Sequence, residues 1–253
     1  MKKFFERFLP FLFLVLCASQ ASAVTMRVVV YGDSLTAGYQ LGVEESYSAK
    51  LMRKLKEVGY DSIEVINMGS ATQTSASGAE GIGAIIDRYP DVVVVQLGNN
   101  DVWRGVSADY IKKNISAVVS ALREKDIYVV VLGTHATTGG QTAYAKQVEE
   151  IFTSFDKVAG VSVYPYVLNG IVNNPALTLA DGYHPNSKGM DVIVEGTYRL
   201  VDAGLRTKWH TKQIEQYQKQ IDGNLPPGFA QPGVIIAPSG SAPVPENVPP
   251  PAE

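Results

Sequence analysis

The sequence predicts an α/β protein: a flavodoxin-like three-layer α/β/α sandwich around a five-stranded parallel sheet. Three observations predict it. Five short β-branched runs are apolar almost without interruption, as strands covered on both faces are. Longer stretches of helical periodicity separate them. Small and polar clusters end the first and third runs, where open α/β sheets bind ligands.

The elements follow in order. Runs at 26–31 (MRVVVY), 63–67 (IEVIN), 91–97 (DVVVVQL), 127–133 (IYVVVLG) and 161–165 (VSVYP) are the expected strands. Helices are expected near 45–58, 75–88, 108–125 and 141–157, with a further one over 187–203. In the third, Tyr110, Ile111, Ile115, Val118, Val119 and Leu122 recur at helical spacing behind Ser107, a suitable N-cap. Strand–helix alternation calls for right-handed parallel crossovers and the order 2-1-3-4-5. That order puts its switch point between strands 1 and 3. Gly32-Asp33-Ser34 follows strand 1, Gly98-Asn99-Asn100-Asp101 follows strand 3, and Asn67 ends strand 2. All three then meet at one sheet edge.

Both ends differ from this core. Residues 1–23 read as a secretory signal peptide: Lys2, Lys3 and Arg7, an apolar run Phe8–Leu16, then the small exit Ala21-Ser22-Ala23. An uncleaved anchor is the competing reading, and bulky Leu16 argues against lipidation at Cys17. Periplasmic or secreted localisation is expected, with no stable membrane span after cleavage. Residues 24–205 have the size of one domain with a sizeable core. Residues 206–223 read as a polar surface helix, and 224–253 as a Pro-rich disordered tail with no identifiable partner. Cys17 is the only cysteine, so the mature chain has no disulfide and no thiol nucleophile. Without Lys2, Lys3, Arg7 and Glu6 the net charge moves from −3 to −5. A mildly acidic chain without a basic cluster is a poor binder of nucleic acid.

Ser34 is the candidate nucleophile. A serine hydroxyl needs a base and a group to orient that base. Of three histidines, His210 lies in the polar terminal segment, and His135 follows strand 4 close to the crevice. His184 is better equipped. Pro185 keeps it out of a helix, and Asp181 three residues upstream can turn back to its Nδ1–H, freeing Nε2. Asn100 and the Ser34 N–H can donate to an oxyanion. Asp101 is expected to tie down its loop, because a carboxylate would oppose that oxyanion. Each cluster alone also fits an ordinary turn or cap. Their convergence at one edge fits acyl transfer better.

Gly32-Asp33-Ser34-Leu35, Asn67, Gly98-x-Asn100-Asp101 and Asp181-x-x-His184 resemble the four blocks of the SGNH/GDSL hydrolases. The branch is similar to bacterial periplasmic thioesterase I/lysophospholipase L1 and related arylesterases. The resemblance implies a serine esterase with Ser34 as nucleophile, His184 as base and acid, and Asp181 as orienter. It implies no metal or organic cofactor, and a small-molecule ester or lipid substrate. It also implies a backbone donor about five positions after Asn67. That position holds Thr72 rather than the usual glycine, with Gly69 and Gly78 on either side. Asn99 stands where this branch often has a second glycine. Tyr39, Val102, Trp103 and Tyr183 are candidates for the acyl rim. Carbohydrate O-acetyl esterase is the alternative activity. An inactive binding protein with a docking tail is the reading from another class.

Overall fold

The computed structural model of the chain describes residues 25–136 and 142–224. The leader expected over 1–23 lies outside them, as does the tail expected over 224–253 apart from Asn224. Among the described residues five strands form one sheet: β1 (Met26–Gly32), β2 (Ile63–Asn67), β3 (Val92–Gln96), β4 (Tyr128–Leu132) and β5 (Val161–Tyr164). All pairings are parallel and the order is β2-β1-β3-β4-β5, as the alternation predicts.

Alternate residues of each strand feed opposite layers. Val28, Val30, Val92, Val94, Val130 and Leu132 face α2 (Tyr47–Glu57) and the last helix, α8 (Ser187–Asn224). Val29, Tyr31, Val93, Val95, Val129 and Val131 face α6 (Ala108–Glu124) and α7 (Ala143–Thr153). Helix α2 starts at Ser46, whose hydroxyl accepts from the Ala49 N–H, and buries Tyr47, Leu51 and Leu55, one turn apart. Helix α6 buries Ile111, Ile115, Val118, Val119 and Leu122. Tyr110 belongs outside that stripe and is exposed, one helical step from Ile111. Ser107 occupies the N-cap position without a side-chain cap bond.

Two expected helices differ in extent. The stretch 75–88 is divided at Gly81 into α3 (Ser75–Glu80) and α4 (Ile82–Ile86). A Cβ at Gly81 would meet the Tyr31 hydroxyl, so this junction passes too close to β1 for a larger residue. The expected 187–203 helix and the polar 208–222 segment are one continuous helix, Ser187–Asn224. Its polar half is fastened along the amino-terminal side of the sheet. Lys208 pairs with Asp126 ahead of β4, and Lys212 with Asp91 ahead of β3. Among the described residues no helix is long and apolar enough to cross a membrane.

Candidate active site

Strand β1 delivers Ser34. The Asp33 N–H continues the β1–β3 ladder to the Gln96 carbonyl at 3.1 Å, and the chain then turns into the one-turn helix α1 (Ser34–Ala37). Asp33 is its N-cap, with Oδ1 accepting from the Leu35 N–H at 3.1 Å. Ser34 therefore opens the helix, and its own N–H has no partner among the described residues.

The loop before α8 delivers His184. A bridge between Thr178 and Pro185 and the Leu179 N–H on the His184 carbonyl at 2.8 Å fix its ends. Asn186 caps α8 through the Gly189 N–H at 3.0 Å. Asp181 Oδ1 accepts the N–H groups of Tyr183 and His184 at 2.9 and 3.0 Å. Its Oδ2 lies 2.6 Å from His184 Nδ1, and His184 Nε2 lies 3.0 Å from Ser34 Oγ. A carboxylate only accepts, so Nδ1 carries the proton and Nε2 presents its lone pair to the serine hydroxyl. Burial pushes the Asp181 carboxyl up. The hydrogen bonds from Tyr183 and His184 outweigh it and hold the group below the usual carboxylate range.

The loop after β2 packs against β1 and α1, and the loop after β3 meets it. Gly98, left-handed at φ 113°, turns β3 into α5 (Asn99–Trp103). The Asn100 amide donates to the Ala71 and Gln73 carbonyls at 3.2 and 2.9 Å. Both its protons are thus committed to the loop after β2. Donating to an oxyanion would require sharing or releasing one of these contacts. Between the two carbonyls sits Thr72, exposed, with an N–H that has no partner among the described residues. It is absent from the residues with positive φ, so its Cβ imposes no left-handed strain. Gly69 sets how closely the loop approaches. A Cβ there would lie 2.6 Å from the Ala37 nitrogen, and the Ser70 N–H bonds the Gly32 carbonyl at 2.9 Å. Asn67 shapes the same turn, with Oδ1 accepting the Gly69 N–H at 2.9 Å.

Asp101 points away from the crevice and fastens the next helix. Its buried carboxylate accepts the Ser75 N–H and hydroxyl, each at 2.7 Å, and Asn114 donates to the same hydroxyl at 3.1 Å. Beneath Ser34 lies a second buried polar group. Gln96 Nε2 donates to Asp33 Oδ2 at 3.2 Å, and Thr134 donates to Asn99 Oδ1. Burial drives the Asp33 carboxyl up to about 7, against the pull of Leu35, Gln96 and Asn99. Gln96, Ser75, Asn114 and Thr134 carry no mark in the sequence. Each is a polar residue inside or beside an apolar element, and its partner is distant along the chain.

The other candidates divide. His135 packs edge-on against Tyr166, and His210 against Trp209; neither reaches Ser34 by a hydrogen bond. Val102 packs on the core under α6. Tyr39 and Tyr183 lie against the His184 ring at 4.5 and 5.4 Å between centroids, and Trp103 lies against Tyr183 at 5.0 Å.

Residues 30–192 match the model of the GDSL-like lipase/acylhydrolase family. An arylesterase from Vibrio mimicus is 30% identical over 185 residues, 73% of this chain and 92% of that protein. Esterase TesA of Pseudomonas aeruginosa is 28% identical over 186 residues, 73% and 91% of the two chains. Thioesterase 1/protease 1/lysophospholipase L1 of Escherichia coli K12 is 25% identical over 192 residues, 76% and 90%. Among solved structures, the esterase AlinE4 of the SGNH-hydrolase family superposes with a TM-score of 0.59 at 29% identity, over 72% of this chain and 97% of AlinE4. A crystal structure of TesA shares the fold with a TM-score of 0.67 at 24% identity, over 71% of this chain and 100% of that one.

Proposed function

The chain belongs to the GDSL-like lipase/acylhydrolase family and is an ester-hydrolysing enzyme, and we propose that it works through an acyl-Ser34 intermediate. The observation that carries this is the relay Ser34 Oγ–His184 Nε2–Asp181, with separations of 3.0 and 2.6 Å. His184 takes the Ser34 proton as Oγ attacks the ester carbonyl. The oxyanion meets the free N–H groups of Ser34 and Thr72, with Asn100 as third donor once its amide turns from the Ala71 carbonyl. His184 returns the proton to the leaving oxygen of an ester or the leaving sulfur of a thioester, which departs as an alcohol or a thiol. A water molecule, deprotonated by His184, then releases the acid. Asp181 fixes the tautomer and stabilises the imidazolium.

The proposed substrates are aryl esters, short- to medium-chain acyl esters, thioesters and lysophospholipids. The names borne by the relatives (arylesterase, esterase, thioesterase/lysophospholipase) support this range. Hydrolysis of p-nitrophenyl esters of increasing acyl length, with Ser34→Ala as control, tests the reading. Wild type should turn over at least the short esters and Ser34→Ala none. Equal rates in both would overturn the acyl-serine route. Export to the periplasm or medium is part of the proposal. It rests on the basic and apolar pattern of residues 1–23. The intact mass of exported protein should correspond to a chain beginning at Val24; a retained leader would contradict it.

A further inference from the structure

Four rings form an arc through the proposed base: Tyr39, His184, Tyr183 and Trp103. Tyr39 tilts against one side of the imidazole at 4.5 Å and 38°, and Tyr183 meets it edge-on at 5.4 Å and 82°. Trp103 extends the arc at 5.0 Å and 66° from Tyr183. The outer members are not core. Trp103 is 66% exposed and Tyr39 40% exposed, although α5 buries its own Asn99 and Asp101. The short helix thus holds two polar side chains inside and presents an indole to water. Scattered exposed aromatics carry no meaning, but rings in contact with one another and with the group that moves the proton make a surface.

We propose that Trp103 and Tyr183 are specificity-determining residues that select esters bearing a flat aromatic ring. This rests on the acyl-Ser34 reading and deepens it. The ring lies on Trp103, offset-stacked or edge-on, while the ester carbonyl sits at Ser34. Such a ring can belong to the acid half or to the alcohol half of the ester.

Two substrate series separate ring recognition from leaving-group reactivity. Benzyl and cyclohexylmethyl acetate release alcohols of similar basicity and read the alcohol half. Ethyl phenylacetate and ethyl cyclohexylacetate read the acid half. In at least one series wild type should favour the aromatic member about three- to tenfold in kcat/KM. The ratio should fall towards one in Trp103→Leu and be retained in Trp103→Phe. Tyr89→Leu, at an exposed residue ahead of β3, should leave the ratio unchanged. Ratios near one in both series, or a preference that survives Trp103→Leu, would overturn the inference while leaving the esterase reading intact. Loss of all ester hydrolysis, with no covalent labelling of Ser34 by an alkyl phosphonate, would instead remove the reading and the inference with it.

Discussion

Asp33 shows how much a single buried side chain must reconcile. Its carboxyl is fully buried; Leu35, Gln96 and the neighbouring Asn99 pull it down, yet burial wins and lifts it from 3.8 to about 7. The neutral acid also carries a proton to offer, and Gln96 Oε1, buried and without a partner among the described residues, accepts it once the amide turns. Raised in the fold, the group binds its proton more tightly there than in the unfolded chain. Its contribution to stability is therefore complete below about pH 4 and lost as pH rises through about 7. Asp33→Asn should flatten this part of the stability–pH curve, read by urea unfolding between pH 4 and 8; an unchanged slope would refute the assignment. Asp181 has the opposite sign. Held low in the fold, it contributes above about pH 4 and loses its contribution as pH falls through its folded value. Asp181→Asn should lower kcat by about 10²–10⁴-fold, because the amide no longer enforces the tautomer that leaves Nε2 bare. A loss in KM alone would deny it that role.

At the scale of elements, the loop after β2 is the part of the site least legible in the sequence. Strand runs and the polar clusters after β1 and β3 announced themselves, because β-branched runs and Gly-Asp or Gly-Asn turns are local signals. The loop is defined instead by distant contacts. Asn100 reaches across to the Ala71 and Gln73 carbonyls, and Gln73 donates to the Tyr31 hydroxyl at 2.6 Å. Sequence reasoning assigns Asn100 to the oxyanion, and the structure adds that it braces the loop carrying Thr72. Asn100→Ala should cost on the order of 10²-fold in kcat; a near-normal rate would reject both roles. Gly69→Ala tests the loop's position from the other side. Its Cβ would collide with the backbone of α1, so kcat should fall by at least tenfold while far-ultraviolet circular dichroism stays native. An unchanged kcat would show that the approach of this loop to Ser34 does not matter.

Across the whole molecule, the sheet order follows from the alternation of runs, and with it the placing of Ser34 and Asn100 at the same edge of the sheet; the Asp181–His184 loop reaches Ser34 through His184 Nε2. The length of α8 did not follow. Its polar half has too few apolar residues to predict packing, and it is held by charges whose partners, Asp91 and Asp126, lie about eighty residues or more upstream. Asp91 is almost wholly buried, and Lys212 is its ion-pair partner. Lys212→Ala should destabilise the fold by about 1–2 kcal/mol in urea, discounted for the half-exposed lysine; no change would make the clamp ornamental. The central claim is that Ser34 becomes acylated, and one measurement reaches it most directly. Intact-protein and peptide mass spectrometry after reaction with a p-nitrophenyl alkyl phosphonate should find one phosphonyl group per chain. It should sit on Ser34, with release of one equivalent of p-nitrophenol and no adduct in Ser34→Ala. An adduct on another residue, or none at all, would contradict the account.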